Sequence, residues 1–503
     1  MIKLFGAKPD HPMADPKEAK RILEQLPAQD HFKSLDELTH WLESVSAAEG
    51  FKPEVRIQVL LLIDEAAQAR LRKLTRDYLA AERPSRFLEN RLWNAIHGYW
   101  RQAGLSFARV VDEFTQAVKG IENAKAALPQ VLVRTLRSLA QQIKWMHMRY
   151  GPIDLAIWNV FHRVYAYAEV RQLAQAKVAI YPGAAGGSET TPQLEFLRGA
   201  MFSAGSPDSL LPLEVELAER LIAEYSPRFT MAAAPAPEHI YWTDLAKAMS
   251  PLRVNRTPPA GPGLRCFGPG PTVPDLNALI ERIYTTGRVP EGVNLGGSYE
   301  PEVALEVLRH LALVWSPQPP ERKAQRHAVK SRLSVAHGYE GVLGALGSAD
   351  SLAFDAAGSE SWIVENVSAG GFGTVVPQLK GDWLRVGALV ALQPEGGTNW
   401  LLGLVRRVNK IGQQQARVGI ETLCKTPEVS RFGVSGSQSA EQGVLLKGGE
   451  AEARIVLKPG VFAPMQNLEV QRGERQHVYI PQGVAERGED YEIARFREMI
   501  RES

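Results

Sequence analysis

Two arginines four residues apart, Arg322 and Arg326, stand at the point where this chain changes character, and Asn366, Ser368, Gly370 and Gly371 follow in an N-x-S-x-x-G pattern. The planar guanidinium fork bonds a phosphate, or the O6/N7 edge of a guanine, through two parallel contacts. The same plane stacks on a purine face. Two such groups on a short segment can therefore engage both parts of one compact nucleotide anion. Asn366 and Ser368 add short polar groups able to orient a base edge or the arginine segment itself. Gly370 and Gly371 remove side chains where a ligand must approach the backbone, and glycine tolerates left-handed dihedrals there. Lys323, His327, Lys330 and Arg332 lie close enough in sequence to add phosphate contacts, although a solvated surface is the ordinary place for each.

Either motif alone is common. R-x-x-x-R usually marks a solvated helix face, and Asn, Ser and Gly dominate ordinary turns. The conjunction is more specific: both occur in order, beside short β-like runs, with a further Val418 to Glu421 run downstream. In these features the stretch from about 320 to 425 resembles the PilZ domain, whose pattern is RxxxR followed by [D/N]xSxxG. The resemblance implies a six-stranded β-barrel, cyclic di-GMP as ligand, and control of motility, attachment or polysaccharide output. Asn366 takes the place of the aspartate often found in the family. Asn366 also stands 40 residues after Arg326, so the segment 336–362 must hold an expanded loop or bulge.

The elements that would position these residues follow from periodicity. Residues 1–225 predict a helical domain, an irregular bundle of roughly seven to ten helices. Ser34 to Glu37 reads as a capping box, Pro53 as a first-turn proline, and Thr191-Pro192 as a cap with proline after it. Stripes such as Trp93, Ile96 and Trp100, and Trp158, Phe161 and Tyr165, recur at helical spacing. Residues 226–320 read as a Pro/Gly-rich linker plus short helices near 275–286 and 301–315, with 239–242 able to pair as a short strand. Six alternating runs between Ser331 and Leu423 predict the barrel, 321–427. Residues 428–503 predict a β-rich extension or second small barrel ending in a helix near 489–501. The fold class is thus multidomain α+β, an all-α bundle followed by an all-β PilZ-like barrel.

The 58 basic and 56 acidic residues leave a formal charge of only +2, which argues against a nucleic-acid polymer as partner. The two cysteines, Cys266 and Cys424, are too few for a disulfide framework or a four-ligand zinc site. The start of the chain lacks a signal-peptide pattern. Its longest apolar runs, such as Val59 to Ile63, fall short of the ~20 residues that span a bilayer. A cytoplasmic protein is the expectation. Gly183 to Ser188 could cradle a phosphate but lacks a P-loop lysine, and reads as a flexible linker. His97, His147 and His162 sit among aromatics without metal-ligand spacing, and Asp112, Glu113, Glu214 and Glu216 suit exposed helix faces. No nucleophile elbow is present. The expected protein is a cyclic di-GMP effector without catalysis or cofactor, passing a signal to a protein partner through the helical region. Two alternatives stand beside it: a scaffold whose barrel no longer binds ligand, and an enzyme in the helical half regulated by the barrel.

Overall fold

The computed structural model describes residues 9–80, 85–182, 189–255, 257–294, 297, 299–318, 325–347, 359–412, 414–434, 440–447, 452–473 and 475–502. The chain divides into two compact units. One takes in 1–149, 153–207 and 212–320; the other takes in Tyr150–Pro152, Asp208–Leu211 and Glu321–Ser503.

The first unit is built on long amphipathic helices. Pro53–Tyr78 opens on its proline, as expected, and Thr191 caps Pro192–Ala204 by accepting from the Leu194 amide at 3.1 Å. The cap of His31–Ala47 is instead Asp30, which accepts from the Lys33 amide. Ser34 is buried inside that helix and its hydroxyl bonds the Pro27 carbonyl, so the capping box expected there does not form. Trp100, Trp145 and Trp158 are core residues, and half-buried Trp93 donates its indole N–H to the Trp145 carbonyl at 2.6 Å. His97 stacks on Trp93, and burial, then Arg101 and Arg149, pushes its pKa down to about 4. His162 is buried with both ring nitrogens bonded, to the Lys247 carbonyl and the Thr243 hydroxyl.

Charge is buried here as well. Asp64 pairs with Arg134, Glu195 with Arg137 and Arg198, and Glu216 with Lys144. Glu216, expected on an exposed face, is only 4% exposed. Burial alone would raise the Glu195 carboxyl, but Arg137 and Arg198 outweigh it and hold its pKa at about 2. These acids are balanced ion pairs inside a packed core.

The supposed linker is largely structured. Thr230–Ala232, Tyr241–Asp244, Leu252–Arg253 and Leu264–Gly268 form a four-stranded sheet, followed by helices Thr272–Thr286 and Pro301–Val314. Proline and glycine supply its turns rather than dissolving it. At Gly268 a Cβ would stand 2.1 Å from the Glu238 carbonyl oxygen, so two backbones meet where only glycine fits. Cys266 and Phe267 on that strand are fully buried.

The second unit holds two closed six-stranded barrels. The first comprises β1 His327–His337, β2 Glu360–Ser368, β3 Gly371–Val376, β4 Leu389–Pro394, β5 Leu401–Lys410 and β6 Ala416–Cys424. Each predicted run lies inside one of these strands apart from its first two residues at β4. The second comprises β7 Glu428–Val434, β8 Ala440–Lys447, β9 Glu452–Leu457, β10 Leu468–Arg472, β11 Arg475–Arg487 and β12 Glu492–Glu502. Their strand orders, β4-β5-β6-β3-β2-β1 and β10-β11-β12-β9-β8-β7, are the same topology. The C-terminal helix expected near 489–501 is therefore strand β12, paired on both sides. Ile493, Phe496 and Ile500 have helical spacing, but Ile493 and Phe496 face different cores.

Leu333, Trp362, Val364, Val405, Val418 and Ile420 fill the first barrel. Buried Glu360 closes one end by accepting the indole N–H groups of Trp362 and Trp383, each at 3.0 Å. The long gap between the sequence motifs holds a helix, Tyr339–Gly347, packed between the barrels with Leu389, Leu402, Val444 and Ile493. Its Tyr339 hydroxyl donates to the Gln442 carbonyl at 2.5 Å. The expansion thus adds an element between the barrels and leaves strand order intact.

Candidate functional site

The N-x-S-x-x-G residues form the tight connection from β2 to β3. Ser368 pairs with Gly371 and Asn366 with Gly373, and the Ser368 hydroxyl reaches the Gly371 carbonyl at 3.4 Å. On the other side His327 pairs with Val367 and Ala328 with Asn366. One step further that register carries Arg326 opposite Ser368. Arg326 is exposed, and neither it nor the Asn366 amide has a hydrogen-bond or ion-pair partner among the described residues. Both are free to meet a ligand. Arg322 and Lys323 lie outside the described residues, as does Gly183 to Ser188.

Alternation assigns the faces. Phe372, Val418 and Ile420 point into the barrel, so Asn366, Gly373 and Gly419 share the outer face. Gly373 pairs with Gly419, and Gly419 with Arg407, giving the cross-strand row Asn366–Gly373–Gly419–Arg407. The next row on this face is Ser368–Gly371–Glu421. Gly371, Gly373 and Gly419 therefore make a floor of bare backbone. The Asn366 amide lies over Gly373, where a Cβ would come within 2.6 Å of its Nδ2.

The two expected clearance glycines differ. Gly370 has open space where a Cβ would project, and its carbonyl accepts from the Thr422 amide. Gly371 has φ of 155°, and a Cβ there would lie 1.9 Å from the Ile420 carbonyl oxygen. The absence of a side chain at Gly371 thus serves barrel closure first.

Two register shifts converge beside Asn366, between Ala328 and Ser331 on β1 and between Val364 and Asn366 on β2. Such bulges bend a strand and re-aim side chains. They border an open groove of about 730 Å³ lined by Val329, Lys330, Ser331, Ile363 and Glu365, a volume typical of small-molecule sites. Lys330 is exposed there, and Arg332 bonds the Ser361 hydroxyl.

Charge around the floor is uneven. Arg407 is committed to Asp208 at 2.5 Å. Arg406 bonds Glu421 and forks onto Glu486 of the second barrel; burial opposes its protonation, but these carboxylates raise its pKa. Gly373, Arg406 and Arg407 were not singled out from sequence, and Gly419 and Glu421 entered only as members of the Val418 to Glu421 run. The available signal was the alternation Gly371-x-Gly373 and Arg417-x-Gly419. Among the described residues the second barrel has no such floor on the matching strand pair: its outward β9–β12 pairs are Glu452↔Arg497, Arg454↔Arg495 and Val456↔Ile493.

Among the described residues, no group of three or more His, Cys, Asp or Glu is arranged to hold a metal ion, and no helix is long and apolar enough to cross a membrane. No curated protein matches the chain. Two family models do. Residues 17–236 match the cyclic-di-GMP receptor FimW, N-terminal domain, and residues 356–428 match the cyclic-di-GMP receptor FimW, middle PilZ domain. The second match spans β2 to β6, so the PilZ resemblance and the observed barrel fall on the same residues, while Arg326 and β1 lie before it. With more than half of its length matched by two parts of one family, the chain belongs to the FimW family of cyclic-di-GMP receptors.

Proposed function

We propose that cyclic di-GMP binds on the outer face of the first barrel, with Arg322 and Arg326 taking guanine and phosphate while Asn366 and Ser368 orient it. The dinucleotide lies along the glycine floor, with Gly373 providing clearance beneath the base. One observation carries the reading. Uncommitted Arg326 and Asn366 converge with Ser368 beside a side-chain-free strip, in a barrel that a receptor family matches. Because the arginine segment precedes β1, a ligand that engages it biases what lies N-terminal to it. The signal then passes through the helical region to a protein partner in the cytoplasm, by contact rather than catalysis. The pairing of buried Asp64, Glu195 and Glu216 with arginine or lysine supports a packed role for that region.

Calorimetric titration of the full chain with cyclic di-GMP tests the site. Arg326→Ala is expected to cost about 1–3 kcal/mol of binding, the loss of a charge-assisted contact. Asn366→Ala should cost about 1 kcal/mol. Unchanged affinity in the double variant would place the ligand elsewhere.

A further inference from the structure

The geometry points to Arg417 as a further ligand-binding residue, one that takes a phosphate of the dinucleotide and is held in reserve by Glu365. This rests on the binding face proposed above. Arg417 lies two residues before Gly419 on β6 and so projects from the same outer face, one row beyond the glycine pair. The row is Ile363–Val375–Arg417, and Arg417 is 63% exposed.

Its partner is informative. The Arg417 Nε stands 3.6 Å from a carboxylate oxygen of Glu365 on β2. Strand β3 lies between β2 and β6, so the pair arches over it, across two strand spacings of about 4.8 Å each. Glu365 can reach because the register shift between Val364 and Asn366 falls on it. The ion pair therefore forms a clasp along one border of the glycine floor.

Three facts favour a role in binding. At 3.6 Å, with both side chains largely exposed, the clasp is weak and inexpensive to open. A phosphate offers the guanidinium a stronger, bidentate partner. Moreover, Arg407 is already taken by Asp208 and Arg406 by Glu421 and Glu486, whereas Arg417 has no second partner among the described residues. Arg326 and Arg417 then approach the ligand from opposite borders of the floor, suited to a molecule with two phosphates. Glu365 sets the affinity, since its charge both occupies Arg417 and repels the dianion.

Titration of the full-length protein with cyclic di-GMP at two salt concentrations decides this. Arg417→Ala is expected to weaken binding roughly tenfold or more and to lower the salt dependence by about one phosphate contact. Arg417→Lys should recover part of the loss as a point charge. Glu365→Gln acts in the opposite direction, tightening binding about threefold to tenfold at low salt and less at high salt. Affinity within about twofold of the parent in Arg417→Ala, or weaker binding in Glu365→Gln, overturns the inference. Arg326→Ala and Asn366→Ala run in parallel separate the two readings. If they lose binding and Arg417→Ala does not, only the clasp fails; if none of the three loses binding, the site itself is misplaced.

Discussion

Gly373→Ala is expected to leave the first barrel folded while weakening cyclic di-GMP binding about a hundredfold, or ~3 kcal/mol. The new methyl would meet the Asn366 amide, 2.6 Å from Nδ2 and 2.8 Å from Oδ1. Those atoms are the free end of a half-buried side chain, so the amide swings aside at little cost to the strand pairing. Binding suffers twice. The displaced amide forfeits its base contact, about 1 kcal/mol as in Asn366→Ala. The methyl also rises from the floor where a planar base would lie.

Calorimetry with a parallel thermal melt checks this prediction, and the pairing of the two residues sharpens it. Once Gly373→Ala is in place, adding Asn366→Ala should cost little more, because both remove the same contact and groups in contact are not additive. Full affinity in Gly373→Ala at an unchanged melting temperature would mean that no ligand rests on this strip.

Much of the first barrel was legible because its cues are local. Trp362 and Val364 alternate with exposed neighbours, and segments such as Leu379 to Asp382 punctuate the runs. The N-x-S-x-x-G motif was legible for the same reason, since the chain makes it within one connection. What could not be read depends on pairing between distant strands. Gly373 and Gly419 become neighbours only because β3 pairs with β6, skipping β4 and β5. Glu365 reaches Arg417 only because a register shift turns it over β3. The same blindness explains the errors. Ile493, Phe496 and Ile500 imitate a helix because one strand serves the inter-barrel core through Ile493 and its own core through Phe496. The Pro/Gly-rich stretch read as a linker because glycines such as Gly268 look permissive until a second backbone is placed against them.

Gly371→Ala, by contrast, is expected to cost stability, about 3 kcal/mol or more, and to lose binding only as the barrel fails. Its Cβ would sit 1.9 Å from the Ile420 carbonyl oxygen and 3.0 Å from the carbonyl carbon. These are backbone atoms of β6, fixed by the pairs Gly371↔Glu421 and Phe372↔Ile420, and have no rotamer through which to yield. The dihedral adds to the cost, because φ of 155° is a conformation that L side chains rarely adopt. Gly370→Ala, one residue earlier, is the matched control: open space surrounds its Cβ position, so stability and affinity should stay near the parent's. A thermal melt of both variants, each followed by titration below its transition, separates closure from clearance. Parent-like melting of Gly371→Ala, or a large loss of affinity in a folded Gly370→Ala, would return the clearance role to this pair. The expected outcome ties barrel to receptor more closely than a contact list does. The glycine that ends the binding motif also lets β3 dock on β6, and that docking brings Gly373, Gly419 and Arg417 to the face where Asn366 and Ser368 wait.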